Sequence, residues 1–163
     1  MNENGVCYLE SLQVKTVKKR GKNMPISLAL GQRLKQAGLE WEPATHDYFA
    51  IPEVDMDDKV FAMSDMTVSM EVLHGYHAIT FNGAVEWALD FVFKADAVWL
   101  PTETQLRELT MARLGNRPKM ALQSSIGGYV VTIVRQEDDE ARKEMFEGVT
   151  AEEAYASALL ALL

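Results

Sequence analysis

Apolar residues recur at the three- and four-residue spacing of an α-helix in four stretches of the chain. The clearest stretch follows Thr102, which has the capping-box spacing to Gln105, and it ends at Gly115. Thr150 and Glu153 repeat the same spacing before the last stretch. The four predicted helices cover residues 28–38, 84–93, 103–114 and 151–162.

Short runs rich in aromatic and β-branched residues, separated by Pro and Gly, predict strands. Apolar side chains of 129–135 fall on both faces, so we expect this strand to be covered on both sides. Residues 66–72 alternate as a strand does, although Asp65 could equally cap a helix there, and we favour the strand. Hairpins are expected to join the first two strands and the sixth and seventh. The predicted strands cover residues 46–51, 60–63, 66–72, 77–81, 97–100, 119–123, 129–135 and 143–146.

Because the predicted helices begin beside predicted strands, we expect a single α+β domain over residues 24–163. Its expected architecture is an antiparallel sheet of short strands and hairpins with about four helices packed on it. Residues 1–23 carry five Lys or Arg against two Glu, a net charge of +3, and we interpret them as a disordered basic leader. A nucleic-acid or membrane arm is the functional alternative. A third interpretation is that translation begins at Met24, because Arg20-Gly21 can be encoded by a ribosome-binding-site-like sequence.

Composition narrows the class of protein further. The 163 residues are 48% hydrophobic and 25% charged, which is typical of an ordinary soluble domain. A net charge of −8 argues against a protein that coats nucleic acid or anionic lipid, and no apolar run approaches the ~20 residues of a membrane span. The single cysteine, Cys7, excludes an internal disulfide, and no export signal precedes the domain, so we predict a cytoplasmic location.

Several segments resemble known proteins: LGQRLKQAGLEWEP (30–43), FAIP (49–52), GAVEWALD (83–90) and WLPTETQLRELT (99–110). On these segments the chain resembles a group of small bacterial proteins of unknown function, some of which carry the transferred label "pilus assembly protein CpaE". TAEEAYASALLALL (150–163) is similar to the end of small phage-encoded proteins with a two-helix skeleton. A true CpaE-type protein is P-loop ATPase-like, and this chain has no G-x-x-x-x-G-K-[ST]. The resemblance therefore implies no functional residue.

Histidines supply the one candidate for a metal site. His74 and His77 have a spacing that could place both imidazoles on one ion, with His46-Asp47 as a third donor. The alternative, which we favour, is that the pair flanks a turn at Gly75, because a structural zinc site needs four ligands.

Nucleophiles and carboxylates give no assembled catalytic pattern. Cys7 lies in the leader, and no G-x-S-x-G surrounds a serine. Ser124 and Ser125 could present backbone N–H groups to an anion, but a hairpin turn explains them equally well. Acidic residues at 53–58 and 137–140 do not have EF-hand spacing, and we interpret them as solvated loops.

Large aromatic and Met side chains are expected to form the core. The residues expected in the core are Trp41, Tyr48, Phe49, Met56, Met63, Met66, Met70, Trp87, Phe91, Phe93, Trp99 and Met111. Trp87, Phe91, Phe93 and the Leu-rich end of the last helix could also exceed what one small core buries and leave an association surface, for which a homodimer is the simplest form.

These observations predict no catalytic, cofactor-binding or metal-binding residues. The first functional hypothesis is a small intracellular interaction or regulatory module that acts through protein contacts or self-association, without nucleic-acid or membrane partners. The alternative is a small enzyme or small-molecule binder that uses an acidic or His-lined cleft. A concave pocket that gathers His74, His77 and two carboxylates would favour the alternative. A third class, acidic mimicry of nucleic acid, is neither indicated nor excluded.

Overall fold

A computed structural model describes residues 25–52, 59–64, 68–81, 91–114, 119–137 and 140–163. The helices in these ranges are α1 (Leu28–Gln36), α2 (Glu103–Arg113) and α3 (Ala151–Leu160). The strands are β1 (Tyr48–Ala50), β2 (Phe61–Ala62), β3 (Val68–Leu73), β4 (Tyr76–Phe81), β5 (Phe91–Phe93), β6 (Val98–Trp99), β7 (Lys119–Ser125), β8 (Gly128–Glu137) and β9 (Glu140–Gly148).

All strand pairs of the described residues are antiparallel, in three sheets of three strands each with the orders β2-β1-β6, β3-β4-β5 and β7-β8-β9. Helix α3 packs on β8 and β9 and also contacts α2 and α1, while α1 packs on β6. The antiparallel α+β character is confirmed. The prediction of one sheet with about four helices is wrong for the described residues, which form three helices and three small sheets.

The predicted helix over 84–93 is wrong at its end. Residues 91–93 form β5, in which Val92 lies opposite Ile79 of β4 and both side chains are buried. A segment of three residues is too short to distinguish the periodicity of a helix from that of a strand. Pairing with β4 buries Val92, which favours the strand. The rest of that predicted helix lies outside the described residues. The strand preferred over a helix near residue 70 is confirmed as β3.

Local capping signals predict the helix starts correctly. The Ser27 and Thr150 side chains accept hydrogen bonds from the backbone N–H groups three residues later. At Thr102 the full capping box is present: its hydroxyl accepts from the Gln105 N–H, and its own N–H donates to Gln105 Oε1 at 2.9 Å.

Two groups of buried side chains form the core. The larger lies among the three helices and β8, and the smaller surrounds Phe49 of β1. Gly31 of α1 allows the helix to approach β6 closely, since a Cβ there would lie 2.9 Å from the Trp99 carbonyl oxygen. A side chain on Gly31 would therefore push α1 away from β6.

The β7-β8-β9 sheet is covered on one face. Val131 and Ile133 of β8 are fully buried, whereas Val130, Thr132 and Val134 on the other face are only partly buried. The expectation that both faces of this strand are covered is therefore wrong among the described residues. None of the helices in the described part of the chain is long and apolar enough to cross a bilayer.

Candidate functional site

A cavity of about 730 Å³ lies where α1, the segment after it, the β4-β5 strands and β6 meet. It is formed by residues distant in sequence, and the close approach of α1 to β6 at Gly31 sets one side of it. A volume of this size is typical of small-molecule sites. Four aromatic side chains line it: Trp41, Tyr76, Phe93 and Trp99.

The aromatic wall is held by ring packing. The Trp41 and Trp99 indoles are nearly parallel, with planes 9° apart and centroids separated by 6.4 Å. Trp41 also packs on Phe49, which lies opposite Trp99 across the β1-β6 pair. Tyr76 and Phe93 meet edge to face at 5.9 Å. Strand register thus positions Tyr76, Phe93 and Trp99, whereas Trp41 lies outside the strands and packs on Phe49 and Trp99.

The two indole N–H groups in the wall differ in their hydrogen bonding. Trp41 Nε1 donates to Asp47 Oδ2 at 2.9 Å. Trp99 Nε1 is buried and has no hydrogen-bond partner among the described residues. A buried donor without a partner is uncommon in folded proteins and is costly.

Asp47 anchors the Trp41 side of the cavity. Its carboxylate is buried and accepts three hydrogen bonds, from Trp41 Nε1, from the Ala44 N–H at 2.9 Å and from Gln105 Nε2 at 2.6 Å. Gln105 belongs to the capping box of α2, so one carboxylate connects the cavity wall to the start of that helix.

Charged groups border the cavity. Lys35 of α1 donates through Nζ to the backbone carbonyl oxygens of Ala95 and, at 2.9 Å, of Ala97, which fixes the turn between β5 and β6. Lys94 is the second ammonium, and the carboxylates are Glu40, Glu42 and Asp96. The three carboxylates therefore outnumber the two ammonium groups by one, and His77 is a further basic side chain of the lining.

The structure separates the predicted histidine cluster. His77 lines the cavity together with the carboxylates, whereas His74 lies in the β3-β4 turn beside Gly75 and is not part of the lining. The interpretation of a turn at Gly75 is confirmed. His46 also lies outside the cavity lining, in a left-handed backbone conformation before Asp47. Among the described residues, no group of three His, Cys, Asp or Glu side chains could hold a metal ion.

Other candidate residues lie elsewhere. Ser124 and Ser125 are exposed at the end of β7, before the hairpin turn to β8. Met63 is buried as predicted, but Met111, predicted to fill the core, is 40% exposed on α2. The predictions that lie outside the described residues concern Cys7, residues 53–58, Met56, Met66, Trp87 and the acidic residues 138–139.

Burial raises the pKa of the Tyr155 hydroxyl above its ordinary value of 10.0. The Glu103 carboxylate adds to this rise, and the Arg107 guanidinium opposes it. Tyr155 lies on α3 and is not part of the cavity lining. Its raised pKa therefore results from burial on α3 and not from the cavity.

The cavity includes residues that the sequence did not single out, above all Lys35 and Tyr76. The sequence predicts Trp41, Phe93 and Trp99 in the core, and of these Trp41 is buried whereas Phe93 and Trp99 are half-buried. No pattern of neighbouring residues predicts that these side chains line one cavity, because α1, β4 and β6 meet only in the folded chain.

No family model, no curated protein and no solved structure matches this chain. The resemblance to the small bacterial and phage-encoded proteins therefore stays a prediction.

Proposed function

We propose that this protein is a non-catalytic binding protein whose cavity takes a small aromatic molecule. The observation that carries the proposal is the cavity of about 730 Å³, large enough for a drug-sized ligand and walled by four aromatic side chains. Of the two hypotheses drawn from the sequence, this is the alternative, with His77 and three carboxylates at the cleft but without His74.

Indole and benzimidazole are suitable probes, because both are flat, uncharged at mildly alkaline pH and small enough for this volume. We expect each to shift the indole N–H resonances of Trp41 and Trp99 in a saturable way in ¹⁵N-correlated NMR spectra. Each resonance is assigned by its loss in the corresponding Trp→Phe variant.

A blocking variant and a matched control test where the probes bind. Ala95 is exposed at the cavity lining, so Ala95→Phe is expected to weaken binding of both probes at least tenfold by filling the space. Ala112→Phe, at an exposed position on α2 outside the lining, is expected to leave binding unchanged. Absence of binding by both probes, or equal binding by the two variants, would show that the proposal is wrong.

Self-association is a second candidate function, supported by the open face of the β7-β8-β9 sheet. Because side chains alternate along strands and paired residues share a face, three cross-strand rows form this surface. A basic end row holds Lys119 and Lys143, a central row holds Thr132 and Met145, and the opposite end row holds Glu147. Met145 is 58% exposed in the central row, on the edge strand β9.

A second copy of this chain is the occupant that fits this face. A two-fold axis across the strands would place the basic row of one copy over Glu147 of the other, with the central rows in contact. Each interface would then contain two Lys143–Glu147 pairs related by symmetry. Complementary charges of this kind determine orientation and specificity.

Charge exchange tests this arrangement. We expect the dimer mass in sedimentation equilibrium for the wild type, and about tenfold or more weaker association for Lys143→Glu or Glu147→Lys, since each creates two like-charge contacts. The double exchange should restore association. Arg113→Glu on α2 is the control for net charge and should have little effect. A single-chain mass for the wild type, or no restoration in the double variant, would contradict self-association through this face.

A further inference from the structure

The outer edge of strand β7 is open for pairing with a further strand among the described residues. β7 is an end strand in the order β7-β8-β9, and its seven residues pair with β8 in a continuous register, without a bulge or a proline. All of them except Met120 are exposed. A long and regular edge of this kind is a template for β-strand addition.

Charge distinguishes this edge from the opposite edge of the same sheet. Four of the six residues 142–147 of β9 are charged, and charged edge strands resist pairing with other chains. β7 carries one charged residue, Lys119, and residues 120–125 are uncharged. Of the two edges of this sheet, β7 is therefore the one that lacks this protection.

Alternation along β7 determines which backbone groups point outward. The two-residue turn at 126–127 closes the hydrogen-bonded pair of Ser125 and Gly128, so every second residue back from Ser125 bonds to β8. The residues between them, Met120, Leu122 and Ser124, direct their N–H and C=O groups to the outer edge. An added antiparallel strand would make two hydrogen bonds with each of these three residues, about six in all.

Side chains of β7 define the sequence pattern of such a strand. Leu122 lies opposite the buried Val131, on the face that α3 covers, and is itself 37% exposed, so it favours an apolar side chain beside it. Lys119 lies on the other face, in one row with Lys143, and favours a carboxylate beside it. In an antiparallel strand, the residue beside Lys119 comes three positions after the residue beside Leu122.

A second copy of β7 fits this edge less well than an acidic segment does. β7 contains no Asp or Glu, so two paired β7 edges would leave both Lys119 side chains without a carboxylate. In the face-to-face arrangement described above, Glu147 of each copy pairs with Lys143 of the other. That arrangement leaves Lys119 available, and both interfaces can form on one chain.

We propose that the β7 edge binds an extended segment of a partner protein, which adds to the sheet as an antiparallel fourth strand and carries an acidic residue three positions after an apolar one. No residue of β7 lines the aromatic cavity, so this surface goes beyond the function proposed for that cavity and does not depend on it. Backbone hydrogen bonds give the affinity, and Leu122 and Lys119 select the sequence.

The capped peptide acetyl-VTVTVE-amide is the probe, with its second valine designed to lie beside Leu122 and its glutamate beside Lys119. In this register its valines direct their N–H groups toward β7, and its threonines direct theirs away. N-methylation of the second and third valines should weaken binding by about tenfold or more, while N-methylation of both threonines should leave it within about twofold. Fluorescence anisotropy of the labelled peptides measures this difference on the unaltered protein.

Two proline variants form a matched pair on the protein side. Leu122→Pro removes an outward N–H and keeps the bonds of β7 to β8, so it should weaken peptide binding by about fivefold or more. Met145 lies opposite Thr132, which bonds to β7, so Met145 directs its own N–H away from β8. Met145→Pro should therefore leave peptide binding unchanged.

Charge exchange tests the acidic position of the segment. Lys119→Glu should weaken binding of the peptide by about two- to fivefold, because the pair is exposed. The same variant should favour acetyl-VTVTVK-amide, in which the glutamate is replaced by lysine. Equal binding of the two peptides by the wild type and by the variant would overturn the assignment of an acidic residue beside Lys119.

The remaining outcomes decide whether a strand is added at this edge. Absence of peptide binding, or equal binding of the two N-methylated peptides, would show that the proposal is wrong. If Leu122→Pro abolishes a dimer in sedimentation equilibrium while Lys143→Glu does not, a second copy occupies the edge in place of a partner segment. Ala95→Phe should leave peptide binding unchanged, so failure at the cavity and failure at the β7 edge are distinguishable.

Discussion

Replacing Phe49 by alanine is expected to destabilise the protein by about 3–5 kcal/mol, because the ring is fully buried and its removal leaves a cavity. Its ring lies 5.4 Å from that of Phe61, 5.7 Å from Trp41 and 6.4 Å from Phe81, measured between centroids. These neighbours come from three separate parts of the chain. They cannot all move inward to fill the space.

Urea unfolding followed by circular dichroism measures this loss, because the midpoint falls in proportion to stability when the slope is unchanged. Phe91→Ala is the matched control: Phe91 is 39% exposed on β5, and its truncation should cost no more than about 1 kcal/mol. Equal losses for the two variants would mean that Phe49 is not the centre of this aromatic cluster.

The parts of the fold that the sequence predicts well are those determined within a few residues. Ser27, Thr102 and Thr150 each begin a helix because a side-chain oxygen satisfies a nearby backbone N–H. The hairpin of β7 and β8 and the turn at Gly75 follow from equally local patterns.

The parts that the sequence predicts poorly depend on contacts between distant residues. The 91–93 segment fits a helix or a strand by pattern, and only its pairing with β4 selects the strand. The division into three sheets likewise depends on which short strands find one another. Propensity over two or three residues is too weak to decide such pairings.

The candidate site could be predicted only as a set of residue types. Trp41 and Trp99 are 58 positions apart, and an apolar pattern cannot distinguish a core indole from one that borders a cavity. The spacing of His77 to His74 suggests a metal site, but the β3-β4 turn leaves only His77 of the pair at the cavity. The close approach at Gly31, which brings α1 to β6, leaves no distinctive local signal.

Asp47 gives the second large expected effect. Asp47→Ala should destabilise the protein by about 2–4 kcal/mol, because three donors lose their acceptor, a loss partly offset by removal of a buried carboxylate. The loss should also weaken probe binding, since Trp41 would no longer be held at the cavity wall. Asp96→Ala, at an exposed position on the turn after β5, is the control for stability alone, because Asp96 lines the cavity, and it should stay within about 0.5 kcal/mol.

Asp47→Asn distinguishes a hydrogen-bonding role from simple filling of space. An amide oxygen in place of Oδ2 can still accept from Trp41 and Ala44, while the amide nitrogen would face the Gln105 Nε2 donor. Gln105 cannot rotate its amide to compensate without losing the capping box, in which its Oε1 accepts from the Thr102 N–H. We therefore expect Asp47→Asn to lose about half as much stability as Asp47→Ala, by urea unfolding. Equal losses for the alanine and asparagine variants would mean that the bond to Gln105 dominates, and a loss below about 0.5 kcal/mol in both would refute the anchoring role.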